Sequence, residues 1–228
     1  MPGRVTQLAD ARWPELTDRA AGTVLAVPLG STEQHGPHLP LSTDTDIATA
    51  LANLLAAART NVVVAPALAY GSSGEHAGFP GTLSIGQAAL EAVVIELVRS
   101  ADVFAGVVLV SAHGGNTEPL ERAVSTLRSE GRRVLAWMPR AYDGAHAGRS
   151  ETSMLLALDA SRVCADAAVP GATQPLAELM PELRAGGVRA VSANGVLGDP
   201  AGASADEGRA LLDELTADLI AHVDAFDD

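Results

Sequence analysis

The chain has 228 residues and a formal charge of −13, with 47% hydrophobic and 19% charged residues, which makes it globular rather than disordered. That acidity makes nucleic acid and anionic membrane surfaces poor partners. All fifteen basic residues are arginine, which excludes a phosphate-loop lysine and a Schiff-base lysine.

Residues 1 to 20 read as a short amphipathic lead-in carrying Trp13. Thr23 to Leu29 is an apolar run that predicts a buried strand. The polar stretch Gly30-Ser31-Thr32-Glu33-Gln34-His35-Gly36-Pro37-His38-Leu39-Pro40-Leu41-Ser42-Thr43-Asp44 follows it. Glu33 and His35 are two residues apart, so extended backbone sends both to one face. A carboxylate and an imidazole converging there suit zinc or manganese, and Asp44 is near enough to return as a third ligand. The alternative is that these are polar loop residues capping the next helix. That helix is expected over Thr45 to Arg59, with Ile47, Leu51, Leu54 and Leu55 on one face.

A second strand is expected from Asn61 to Leu68, leading into a glycine-rich loop from Tyr70 to Gly81. Ser84 and Gln87 have capping-box spacing, and the helix they open aligns Leu90, Val93, Val94, Leu97 and Val98. Gly106 to Val110 reads as a third strand, ending in Ser111-Ala112-His113-Gly114-Gly115-Asn116. Pro119 falls in the first turn of a further helix, which buries Leu120, Ala123, Val124 and Leu127. Arg133 to Met138 is the fourth strand, followed by the loop Tyr142 to Gly148. Pro170 to Gly187 reads as a surface excursion and Gly195 to Gly208 as a polar loop. An amphipathic helix over Leu211 to Phe226 comes last. Cys164, the single cysteine, is expected to be a small core residue and fits a reducing cytoplasm. No apolar run approaches the roughly 20 residues of a bilayer span, and Met1-Pro2-Gly3-Arg4 lacks a signal-peptide pattern. The expectation is a cytoplasmic protein folded as one α/β domain over residues 1–228.

Strands alternating with helices predict a three-layer α/β/α arrangement with a mostly parallel sheet. In such sheets the ligand site lies beyond the carboxyl ends of the strands. All four expected strands end in loops bearing histidine or acid, namely Glu33 and His35, Glu75 and His76, His113, then Asp143 and His146. Five of the six histidines fall there; His222, on the last helix, reads as structural. There is neither a catalytic cysteine signature nor a G-x-S-x-G elbow, which points to metal-activated water attacking an amide or similar C–N bond. Two other classes remain open: a doubly wound nucleotide-binding protein and a non-catalytic metal-binding scaffold. The first lacks a G-x-G-x-x-G motif and a Walker lysine.

The segments GSTEQHGPHLPLSTD, GEHAGFPGTLS, SAHGGN and HAGRSETS resemble the creatininase family of metal-dependent amidohydrolases over roughly Val24 to Gly208. The resemblance is strongest to a branch found with mycofactocin biosynthesis, a peptidase branch that acts on a modified precursor peptide. It implies metal ligands at Glu33, His35, Asp44 and His113, with Asp44 bridging two divalent ions. Those ions would be zinc, with iron or manganese as alternatives at one site. It also implies catalytic polar groups at Asp143 and His146, and a homo-oligomer.

The chain departs from creatininase itself at three places. Gly115 stands where creatininase has a ligating glutamate, Gly114 replaces a tyrosine, and Tyr142 replaces a tryptophan that stacks on substrate. Smaller side chains imply a roomier pocket, suited to a peptide rather than to creatinine. Glu151 is the candidate for the missing ligand, its other reading being a cap for a helix beginning near Ser150. Asp46 reads as an exposed first-turn residue and Asn116 as a turn or cap residue. His38 either supports a ligand or is an ordinary loop residue. Glu75 and His76 either contact substrate or, for His76, tie their loop together.

Overall fold

The computed structural model describes residues 7–139 and 145–227. Tyr142 and Asp143 therefore lie outside the described residues. Four strands, β1 (Val24–Leu29), β2 (Val62–Val64), β3 (Gly106–Ser111) and β4 (Val134–Trp137), pair in parallel in the order β2-β1-β3-β4. The β1–β3 register runs from Val24 opposite Gly106 to Leu29 opposite Ser111. Seven α-helices accompany the described sheet: α1 (Thr43–Ala58), α2 (Gln87–Ser100), α3 (Thr117–Ser129), α4 (Arg149–Asp159), α5 (Leu176–Gly186), α6 (Val188–Val191) and α7 (Ala205–Asp227).

The strands are apolar on both faces because both faces are covered. Val24, Ala26, Val108, Val110 and Trp137 turn toward Ile47, Leu51 and Leu55 of α1, Met154 and Leu155 of α4, and Leu219 and Val223 of α7. The alternate residues Leu25, Val27, Leu29, Val107, Leu109 and Val134 turn toward Leu90, Val94 and Val98 of α2 and Leu120, Ala123 and Leu127 of α3. A period of two thus divides each strand between two cores, giving three layers. Each fully buried leucine or valine contributes about 1.5–3 kcal/mol.

The chain leaves β1 toward β2 on one side and re-enters at β3 on the other, so the order in which strands are added reverses between β1 and β3 while all stay parallel. The crevice past their carboxyl ends is the place where an open α/β sheet binds its ligand.

Five expectations need correction. Strand β2 stops at Val64, because Pro66 has no N–H to give a ladder; only Leu68 returns, as an isolated bridge to Leu29. Ser84 does not cap with Gln87; its hydroxyl accepts from the amides of Ser73 (2.9 Å) and Gly86 (3.2 Å). The supposed surface excursion contains α5, whose Leu179 joins Val188 and Leu197 in a small separate core. Helix α7 begins at Ala205, with Gly208 inside it. A side chain at that position would meet the Ser153 carbonyl at 1.9 Å, so glycine lets α7 lie against α4. Cys164 is exposed rather than in the core, on a loop whose amide reaches His38 O at 2.9 Å.

Candidate metal centre

The loops after the strands bring Glu33, His35, Asp44, His113, His146 and Glu151 together, and all six are buried. The segment after β1 folds back tightly, with Glu33 N bonded to Leu41 O at 3.0 Å and a bridge between His35 and Leu39. This return places Asp44 in the first turn of α1, where the positive end of the helix dipole favours a carboxylate. Asn116 holds the β1 and β3 ends together. Its amide nitrogen donates to Gly30 O (3.0 Å), and its oxygen accepts from Ser72 N (3.0 Å). It is a buried tie between loops, which is more than the turn or cap residue expected.

Asp44 presents one oxygen to each side of the cluster. Its Oδ1 lies 3.1 Å from His35 Nε2, and its Oδ2 lies 3.2 Å from His113 Nδ1 and accepts the Ser31 hydroxyl at 2.6 Å. The His35 Nδ1–H faces the Glu33 carbonyl at 3.2 Å, leaving Nε2 toward Asp44. Glu33 Oε2 is 3.3 Å from His113 Nε2, and Oε1 is 3.2 Å from His76 Nε2. Neither Glu33 oxygen, though fully buried, has a hydrogen-bond partner. Donor atoms of a tetrahedral ion with ligands at about 2.0–2.1 Å lie about 3.3–3.4 Å apart. The spacings here and the unsatisfied carboxylate fit that geometry. Among the described residues four trios have donor atoms within 4.8 Å of one another: Glu33–His35–Asp44, Glu33–His76–His146, His35–His146–Glu151 and Glu33–Glu75–His113.

Glu151 lies on the His35 side of the cluster rather than beside Gly115 and His113. It stands in the first turn of α4, where Oε2 accepts the Ala147 amide at 2.5 Å, and it also joins His35 and His146. Ala147 has φ +52°, a left-handed conformation that costs a non-glycine residue energy and is often found at functional sites. His146 Nε2 donates to the Gln34 carbonyl at 2.8 Å, so its Nδ1 is bare and faces Glu33 Oε1 at 3.7 Å. With Nε2 protonated, the Gln34 amide nitrogen 3.1 Å away is a close approach rather than a hydrogen bond. That amide donates instead to His76 Nδ1 (2.8 Å) and Gly195 O (3.1 Å).

Two residues of this network lie outside the ligand and catalytic set the resemblance implies. Gln34 stands between the two ligand candidates and braces His76, and a polar amide inside so dense a motif was the signal. His76, expected to contact substrate or tie its loop, stands against Glu33, its Nε2 3.2 Å from Oε1. His38 Nε2 meets Thr152 Oγ1 at 2.9 Å, joining the β1 loop to α4 beside Glu151. Asp46 is away from the cluster and pairs with Arg162 at 2.8 Å. His222 bonds to Asp218 O on α7, as a structural residue would.

The charges interlock. Burial pushes His35 down, but Asp44, Glu151 and Glu33 outweigh it and lift the imidazole to about 10. His113 is likewise raised, against burial, by Glu33 and Asp44. Burial pushes Glu33 up, and the imidazoles of His113 and His76 bring it down to about 2. Asp44 is also held low, because His35 and His113 overcome its burial. Burial lowers His76 to about 4, and it also holds His146 well below its ordinary value, aided by the neighbouring His35 and His76. Glu151 is raised to about 7 by burial, with His35 opposing.

A cavity of about 720 Å³ opens onto Asp44, His113, Gly114, His146 and Glu151; Met138, Pro175, Leu176, Leu179 and Leu197 form its apolar side. The loops at Ala172–Pro175 and Leu197–Asp199 border it. Among the described residues no helix is long and apolar enough to cross a membrane.

Comparison with known proteins places this site in context. The chain is 52% identical over 200 residues to the mycofactocin precursor peptide peptidase of Mycolicibacterium smegmatis, covering 84% of this chain and 81% of that protein. It is 30% identical over 210 residues to the creatinine amidohydrolase of Pseudomonas putida, covering 76% and 80% of the two chains. The solved structure "Creatininase Mn" superposes with a TM-score of 0.79 at 26% identity, covering 96% of this chain and 97% of that one. The family profile described as creatinine amidohydrolase matches residues 9–223. With strand-end motifs, fold and profile in agreement, the chain belongs to the creatininase family of amide hydrolases.

Proposed function

We propose that the protein is a two-metal peptidase that cleaves a modified precursor peptide near its C-terminus. The observation that carries the metal reading is Glu33, a buried carboxylate with two unsatisfied oxygens among imidazoles. In this reading Glu33, His35, Asp44, His113 and Glu151 hold two divalent ions, zinc with iron or manganese as alternatives at one site. Ions bound there would polarise the scissile carbonyl and bring the pKa of a water to about 7.

The remaining work falls to the chain. Asp44 sets the spacing of the two halves, since its oxygens face different histidines. His146 is neutral with a bare Nδ1, so it can take a proton from the attacking water and pass it to the departing amine. Asp143 is the second catalytic polar group of this reading, three residues before His146. The substrate class rests on the name of the relative at 52% identity and on a cavity bordered by two loops and an apolar wall. A reducing cytoplasm and a homo-oligomer belong to the same reading. The exposed Cys164 thiol supports the first, and the exposed Tyr70 and Leu83 support the second.

The test is competitive. Metal-loaded protein is incubated with the modified precursor and with creatinine, and both are followed by mass spectrometry. Release of a small C-terminal fragment is expected. Creatinine turnover beside an untouched peptide would overturn the substrate while leaving the metal chemistry standing.

A further inference from the structure

The reading above leaves one carboxylate of the cluster without a role. Glu75 sits in the turn Gly74–His76 after β2, with its Oε1 3.5 Å from His113 Nε2. An oxygen of Glu75, an oxygen of Glu33 and a nitrogen of His113 lie within 4.8 Å of one another, so a single cation can reach all three.

Three features fix the carboxylate in that place. Its loop is tied at Ser73 N to Ser84 Oγ (2.9 Å) and at Ser72 N to Asn116 Oδ1 (3.0 Å). Behind it, a Cβ on Gly187 would lie 2.6 Å from Glu75 O, so the α5–α6 junction fits closely against the turn. In front of it, a Cβ on Gly115 would lie 2.4 Å from Glu75 Oε1, 2.2 Å from Ser72 O and 2.5 Å from His113 Nε2. A side chain at position 115 and the Glu75 carboxylate are therefore alternatives for one volume. The glycine leaves that volume, against a histidine, to Glu75.

We infer that Glu75 is a metal ligand, supplying an oxygen to the ion held by Glu33 and His113 while Glu151 serves the ion on the His35 side. The inference rests on the two-metal reading. Each ion then has a carboxylate from a different loop, after β2 for one and at the start of α4 for the other. Glu75 is also the most solvent-accessible of these ligands, its side chain 36% exposed against 0% for Glu33. The ion it helps to hold is the one a chelator reaches first.

The experiment uses the full-length protein, stripped of metal and reloaded with Zn²⁺. Stoichiometry is read by elemental analysis and each affinity by competition with a chromophoric chelator, with circular dichroism confirming the fold of every variant. Glu75→Gln keeps the size of the side chain and removes its charge. It should weaken one ion by at least about 10-fold, the smaller effect known for losing even an indirect partner of a ligand, and leave the other unchanged. Glu75→Gln with Glu151→Gln should weaken both ions. A Glu75→Gln protein that holds two ions as tightly as the wild type would overturn the inference and leave the two-metal reading intact. A double variant that still keeps one tight ion would overturn the assignment of the two carboxylates to different ions. Wild-type protein that takes up no Zn²⁺ would overturn the two-metal reading itself.

Discussion

Loading the metal-free protein with two ions should release at least about two protons at pH 7. The count follows from which groups of the cluster hold protons before metal arrives. Glu33, lowered to about 2, and Asp44, also held low, are already bare. His76, at about 4, and His146, held well below its ordinary value, are already neutral. His35, lifted to about 10, and His113, also raised, each carry an extra proton, and Glu151 at about 7 is half protonated. Ligation needs neutral imidazoles and bare carboxylates, so two protons leave the histidines, and any proton on Glu151, on Glu75, which burial raises, or on water bound at the ions adds to them. By linkage, the combined affinity for the ion pair rises about 10²–10³ per pH unit near pH 7. The assay is calorimetric titration of Zn²⁺ into metal-free protein in buffers of different ionisation enthalpy, where the slope of heat against that enthalpy counts protons. Release of less than about one proton would refute the reasoning, because His35 and His113 would then not be the protonated ligands.

Other outcomes follow from the same geometry. Asp44→Ala should lose both ions, since each oxygen faces a different histidine; full metal content on elemental analysis would end the bridging role. His146→Ala should keep its metal and lose about 10²–10⁴ in rate, the usual worth of general acid–base catalysis, whereas lost metal would reassign His146 as a ligand. Metal-free stability should be greatest near pH 6–7, measured by thermal unfolding. His35 is raised from 6.5 to about 10, so its contribution is full below about pH 6.5 and fades as pH rises through 10. His76 is depressed from 6.5 to about 4, so stability falls as pH drops through that interval. A melting temperature that only rises from pH 5 to 9 would contradict the His35 shift, and one that only falls would contradict the His76 shift.

The sheet and the location of the site were legible because parallel strands bury both faces and so appear as unbroken apolar runs. Polar residues immediately after such runs can only lie at strand ends, and four of them at once mark the crevice. What stayed hidden depended on contacts between distant segments. Helix α5 carries Pro181 inside it and glycines at its end, a composition that reads as loop. The spacing of Leu179 and Leu183 was the weaker, correct signal, and its partners Val188 and Leu197 come later in the chain. Gly208 broke the pattern of α7 for a reason only the Ser153 carbonyl explains. Ser84 had the spacing for a capping box but was claimed by Ser73, eleven residues earlier.

The two glycines after His113 show how far side-chain size alone can carry a substrate argument. Read from sequence, Gly114 and Gly115 both remove bulk beside the metal and widen the pocket. In the fold they act oppositely. A Cβ on Gly114 would meet nothing within 4 Å, and Gly114 lines the cavity, so that glycine does leave room. The space at Gly115 is already filled by the Ser72 carbonyl and the Glu75 carboxylate, and so it adds charge next to His113 rather than width. Room for a peptide therefore comes from Gly114 together with the loops at Ala172–Pro175 and Leu197–Asp199. Leu197 of the second loop, with Leu176 and Leu179 of α5, lines the same cavity as Asp44 and Glu151. A substrate lying between the two walls must present an amide carbonyl to the charged side and apolar groups to the other. A short peptide with bulky side chains meets that demand over its length, whereas a small cyclic amide would leave most of the apolar wall in contact with water.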